Sequence, residues 1–210
     1  VLATEGIFVA EEFVMSKLQF RFSLPKFVQT LVFLSKNGVS DLTKLKAAKL
    51  FYFADKEHLL KYGRPIIGDS YFALNLGPVP SQADDFFDEA LAAHQAGPST
   101  PEQEEFLQYL DVVADYWPRY VANGSENFRV FSKSDLEVLG DVAKKYGKLH
   151  WKRLVELSHE EPAYRLADKG RAPNGRAPMP YETFFEGADS EMLKVAEVEQ
   201  EHRDLVAAIR

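Results

Sequence analysis

Apolar side chains recur at helical spacing along most of the chain. Phe27, Val28, Leu31, Val32 and Leu34 form one such stripe. Ser23 offers a hydroxyl cap ahead of it, and Pro25 sits in the first turn, where its missing N–H costs nothing. Asn37-Gly38 tolerates the left-handed backbone that ends a helix. A second helix is predicted from Leu42 to about Tyr62, with Asp41 as its cap. Its centre, Ala47, Ala48, Leu50, Phe51, Phe53 and Ala54, is apolar nearly all round, the pattern of a helix inside the domain. Gly63-Arg64-Pro65 ends it, and Ile66 to Leu76 reads as extended, with Ile67, Tyr71 and Ala73 alternating on one side. Gly77-Pro78-Val79-Pro80 forces a turn, after which Ser81 and Asp84 have capping-box spacing.

Further on, Thr100-Pro101 with Gln103 starts a helix that Pro118 interrupts, and Phe128 to Phe131 is a candidate strand. Ser134 with Glu137 is expected to cap a helix carrying Leu136, Leu139, Val142 and Ala143. Gly147 separates it from a helix around Trp151 to Leu157. Gly170 to Pro180 reads as a loop, and a last helix runs from about Ser190. There is no internal repeat. The prediction is a mainly α (α+β) fold: a compact helical domain around a central buried helix, with two or three short β-strands.

With 210 residues, 46% of them hydrophobic, the chain can bury one good-sized core. The absence of cysteine excludes disulfides and thiolate metal sites, and makes a reducing cytoplasm the expected compartment. No run of about 18 apolar residues is present to span a membrane. Residues 1–14 carry Glu5, Glu11 and Glu12, unlike the basic leading region of a secretory signal. Met15 is a candidate start, with the preceding residues either a tag remnant or an alternative upstream start.

Charge changes the picture more through its distribution than through its total of −7. Residues 15–80 hold ten Lys and Arg against four Asp and Glu, whereas residues 81–127 hold one against ten. The acidic middle disfavours a phosphate backbone, so nucleic acid is not an expected partner. It suits a basic protein partner, and equally the solvated face of ordinary helices.

Asp55 and His58 lie three apart on one helix and so share a face. Such a pair can hold a metal, or act as a base with its orienter, if Asp69 and His159 converge on it in a hydrolytic site. The plainer reading, a structural Asp–His hydrogen bond, is preferred because no second closely spaced ligand pair is present. No nucleophile elbow, zinc-protease motif, P-loop or dinucleotide fingerprint occurs, and no cofactor is expected. The stretch from Tyr62 to Tyr71 contains Gly63, Pro65 and Gly68, which shape a rigid loop. That loop either presents Arg64, Asp69 and Tyr71 to a partner or uses them to pin itself to its own domain.

The segment Lys44-Leu45-Lys46-Ala47-Ala48-Lys49-Leu50-Phe51-Tyr52-Phe53-Ala54-Asp55-Lys56-Glu57-His58-Leu59 is followed by Tyr62-Gly63-Arg64-Pro65-Ile66, Gly68-Asp69, Tyr71 and Gly77-Pro78-Val79-Pro80. Together these resemble the Panacea domain, the SocA-like, phage-associated antitoxin family. A looser likeness follows at Leu136 to Gly147, at Leu157-Ser158-His159-Glu160-Glu161-Pro162 and at Pro180-Tyr181-Glu182, so that it spans roughly residues 23–187. Ala47-Ala48 and Tyr164 depart from the family pattern in ways that suggest altered packing only.

The resemblance implies an antitoxin that binds a protein toxin encoded by an adjacent gene and holds it inactive. The family pairs one domain type with many unrelated toxins and brings no catalytic centre with it. The implied motif or toxin-contact residues are Tyr52, Asp55, His58, Tyr62, Arg64, Asp69, Tyr71, Pro78, Pro80 and His159. Residues 1–22 form an N-terminal extension and 188–210 a C-terminal helix outside the 23–187 domain. Both are expected places for partner-specific contacts. An alternative within the binding class is an adaptor that delivers its toxin to a cytoplasmic protease.

Overall fold

Helix α2 (Lys44–Tyr62) runs through the interior and organises everything else. Twelve of its side chains are buried, among them Lys46, Lys49, Asp55 and His58. This structure is a computed structural model that describes residues 18–114, 116–188 and 190–208. The proposed start at Met15 and most of the expected N-terminal extension lie outside the described residues. Thr43, not Asp41, caps α2: its extended backbone lets the hydroxyl accept from the Lys46 amide, while Asp41 takes a left-handed turn at φ 50°.

Around α2 pack α1 (Leu24–Lys36), α3 (Ser81–Ala96), α5 (Lys133–Tyr146), α6 (Trp151–Glu160) and α8 (Ser190–Ala208). Helices α4 (Pro101–Tyr109) and α7 (Pro162–Lys169) form an outer layer. The fold is thus mainly helical, with a few short antiparallel strands. Phe27 joins α1 to α2, α3 and α4, its ring lying 5.2–6.3 Å from those of Phe51, Phe86, Phe87 and Phe106. Aromatic pairs of this kind add about 1 kcal/mol each beyond the area they bury. The two departures from the family pattern fall in this interior, with Ala47, Ala48 and Tyr164 all buried.

Strand β1 (Tyr71–Leu74) is central in a three-stranded sheet, between β2 (Gly77–Pro80) and a later strand, Ala177–Met179. Both outer strands contain proline, which cannot donate on its outward side and so belongs on an edge. The segment 170–180, expected to be all loop, therefore closes the sheet. Two further strands, β3 (Leu110–Val113) and β4 (Arg119–Ala122), make a hairpin with Pro118 next to its turn. Here α4 ends at Tyr109, because Leu110 turns extended, well before the proline expected to break it. The Ala177–Met179 strand is β5 in chain order. Phe128–Val130 is a 3-10 turn where a strand was expected. The Asn127 amide is tied to the buried Gln29 side chain and Phe128 packs on Phe33, which draws this short run onto α1 instead of a sheet edge.

Candidate functional site

The loop between α2 and β1 is wrapped around one carboxylate. Asp55 accepts hydrogen bonds from the amides of Ile66 (2.8 Å), Ile67 (2.8 Å) and Gly68 (3.2 Å), and from the Tyr71 hydroxyl (3.1 Å). The extended run expected from Ile66 is consequently a tight loop, and the strand begins only at Tyr71. Gly68 is required in it: at φ 72° it also lies so close to the Arg21 carbonyl that a Cβ would overlap that oxygen. Burial pushes the Asp55 carboxyl up to about 6, against the pull of these four donors.

A second buried carboxylate links this loop to α3. Asp69 accepts from the amides of Ser70 (2.7 Å), Gln82 (3.0 Å) and Ala83 (2.7 Å). It thereby caps α3 from outside, and the expected Ser81–Asp84 capping box does not form. A carboxylate supplied by a neighbouring loop satisfies the same orphan amides, with favourable charge at the helix N-terminus. Burial also raises the Asp69 carboxyl. Behind the loop, the Tyr181 hydroxyl donates to the Asp69 carbonyl at 2.7 Å, and the rings of Tyr52, Tyr71, Tyr181 and Phe184 pack edge-on and tilted.

His58 does not bond Asp55, contrary to the pairing preferred from the sequence. Its Nδ1–H donates to the Arg64 carbonyl at 2.6 Å, and its Nε2 lies 3.1 Å from both the Ser134 hydroxyl and Asp135. Asp135 also meets Arg64 Nη2 and Lys26 Nζ, each at 2.9 Å. Its burial would raise the carboxyl, yet His58, Lys26 and the Ser132 amide together hold it well below the usual carboxylate range. Asp135 forms a capping box with Ser132 at the start of α5, two residues before the Ser134–Glu137 pair expected from the sequence. Both pairs fit the S-x-x-D/E pattern. The choice falls on Ser132 because Ser134 already faces His58 and Glu137 already pairs with Lys61 and Tyr62.

His159 belongs to a separate cluster. Its ring stacks on Tyr164, centroids 4.6 Å apart, beside Gly77, Ser158 and Lys49. Lys49 is fully buried on α2 and donates to the Pro78 carbonyl at 2.7 Å. Pro80 is the N-cap of α3. Asp55, Asp69 and Tyr71 are thus brought together with Tyr52, His58 joins Arg64 and Tyr62, and His159 stays apart. Among the described residues no group of three His, Asp or Glu side chains is placed to hold a metal. Of the loop residues expected either to meet a partner or to pin the loop to its own domain, Asp69 and Tyr71 are buried and pin it, and Arg64 is part-exposed. Lys26 and Asp135 were not singled out from the sequence, and Lys49 and Tyr181 entered only within the segments that carry the resemblance. A lone lysine amid the apolar centre of α2 was the one visible signal for Lys49.

Burial brings the Lys49 ammonium down to about 7. Because the unfolded side chain binds its proton up to roughly pH 10, the unfolded state holds more protons between these values, and stability rises with pH across that window. Lys49→Met is expected to flatten this rise and to stabilise the protein by a few kcal/mol at pH 6, offset by the loss of about 1 kcal/mol from the Pro78 hydrogen bond. Urea unfolding at pH 6, 8 and 9.5 measures it; an unchanged slope would exclude Lys49 as its source.

The family model for the antitoxin SocA-like, Panacea domain matches residues 48–164, more than half of the chain. This segment lies inside the stretch over which the resemblance runs. It contains the Asp55 and Asp69 loop, Asp135 with its partners His58 and Arg64, and His159, whereas Lys26 lies outside it. No curated protein and no solved structure matches the chain.

Proposed function

The chain belongs to the SocA-like Panacea-domain antitoxin family, and on that premise we propose that it neutralises a protein toxin encoded beside it by direct contact. One observation carries this reading. The buried carboxylates of the matched segment are spent on the protein's own backbone and its own basic side chains: Asp55 on the 66–68 amides, Asp69 on α3, Asp135 on His58, Arg64 and Lys26. Such bonds make a rigid scaffold whose outer surface is left to recognise a partner. Sequestration needs a wide, shape-matched surface of about 1,200–2,000 Å² in total and no activated nucleophile. No described helix is long and apolar enough to cross a membrane. The encounter is proposed to take place in the cytoplasm, the compartment expected of a chain without cysteine.

The test is co-expression with the product of the adjacent open reading frame. That product alone is expected to arrest growth; together with this chain, growth returns and the two proteins co-purify. A neighbour harmless by itself, with nothing co-purifying, would sink the reading. Rescue without a stable complex, lost in protease-deficient cells, would replace direct contact by delivery to a protease.

A further inference from the structure

Between the first turn of α2, the side of α3, strand β2, the β3–β4 turn and the start of α6 lies a groove of about 980 Å³. Leu76, Val79, Leu91 and Leu149 line it, and both tryptophans of the chain, Trp117 and Trp151, stand in its walls. At the hairpin turn, Tyr116 is 89% and Trp117 69% exposed, their rings 5.4 Å apart and edge-to-face. Large rings beside an apolar concavity are the composition of an interface centre, where Trp, Tyr and Arg dominate the binding energy.

The two flanks carry opposite charge. Asp84 and Asp88 on α3 line one flank, meeting Lys44 at 3.2 Å and 2.9 Å, and Asp85 and Glu89 stand on the same helix. On the α6 side stand Lys148 and Lys152. Exposed Val195, Val198, Leu205 and Val206 lie along one helix, α8, whose sequence carries no aromatic Phe, Tyr or Trp.

We propose that this groove is where the toxin is gripped, through an amphipathic segment whose apolar ridge meets Trp117 and Trp151. Its basic edge faces α3 and its acidic edge faces Lys148. The inference rests on the antitoxin reading and adds the surface and the chemistry of the partner. Opposed charges set the register of the incoming segment and raise its rate of encounter, while the aromatic pocket slows its departure.

The full-length chain and its variants are co-expressed with the tagged adjacent-gene product and measured by capture, growth rescue and affinity at two salt concentrations. The double variant Y116A/W117A is expected to bind at least tenfold more weakly and to lose rescue. D88K is expected to weaken binding at low salt more than at high salt. L166E on α7, at a half-exposed position outside the groove, should bind as wild type. Tyr116, Trp117 and Asp88 are exposed, so matching thermal unfolding curves are expected to show the variants folded. In wild type, tryptophan emission should shift to the blue on binding. If wild type captures its partner and both groove variants capture it equally well, the groove proposal falls and the antitoxin reading stands. If wild type neither captures nor rescues, both fall.

Discussion

Replacing Asp55 with alanine is expected to destabilise the domain by about 4 kcal/mol, close to the whole stability of a marginal protein. The side chain accepts from three buried backbone amides and the Tyr71 hydroxyl. Alanine leaves all four donors without an acceptor in a site closed to water, at about 1–3 kcal/mol for each that cannot relax. The lower end applies because the loop is free to open and hydrate some of them. Asn is expected to cost about half as much: its carbonyl still serves Ile66 and Ile67, while its NH₂ confronts the Gly68 amide.

A pH signature accompanies the substitution. The folded Asp55 carboxyl lies near 6, above the unfolded value of about 3.9, so the folded state binds the extra proton between them and stability falls as pH rises through that window. Asp55→Asn abolishes this component. Urea titration, with amide exchange at residues 66–68, checks both; a D55A midpoint equal to wild type would refute the account of the loop.

Asp135→Asn comes next, at about 3 kcal/mol. It leaves His58, Arg64 and Lys26 gathered around an uncharged amide, and Asp135 is itself wholly buried. Breaking a buried ion cluster by removing one sign costs about 3–5 kcal/mol, and the lower end holds because the Arg64 and Lys26 side chains are 29% and 21% exposed and regain water. The pH dependence runs opposite to that of Asp55. The folded carboxyl is held below its unfolded value, so the stabilisation is complete above roughly pH 4 and is lost as pH falls through the folded value. Thermal unfolding between pH 2.5 and 7 should therefore show wild type and D135N converging in acid. Parallel curves would mean that the carboxylate's charge contributes nothing. The α5 cap is weakened as well, since the Ser132 amide donates to Asp135 at 3.0 Å.

Much of the fold was legible because its signals are local. The apolar centre of α2, Gly63 after it, the Thr100 cap and the last helix all follow from neighbours within a turn or two. Capping at Ser81 and Ser134 was misread because a cap is a competition among donors and acceptors. The winners, Asp69 and Ser132, are decided by what else each rival touches. The Asp55–His58 pairing failed for a related reason. Helical spacing puts two side chains on one face, but their partners come from the 64–68 loop and from α5, where Asp135 is 77 residues from His58. Strand β5 was invisible because three residues containing a proline carry no period; only their pairing with Tyr71, Phe72 and Ala73 makes them a strand.

By itself the sequence determined a mainly helical domain around an interior helix, and the family to which it belongs. Helical period, glycine and proline placement and a dozen residues at fixed spacing are properties of the chain before it folds. Only the tertiary structure decided which carboxylates are structural, that Asp69 and Tyr71 face inward, and that both tryptophans share one groove. These depend on contacts between segments far apart in the chain, where burial and hydrogen-bond satisfaction are settled jointly and no local pattern records the outcome.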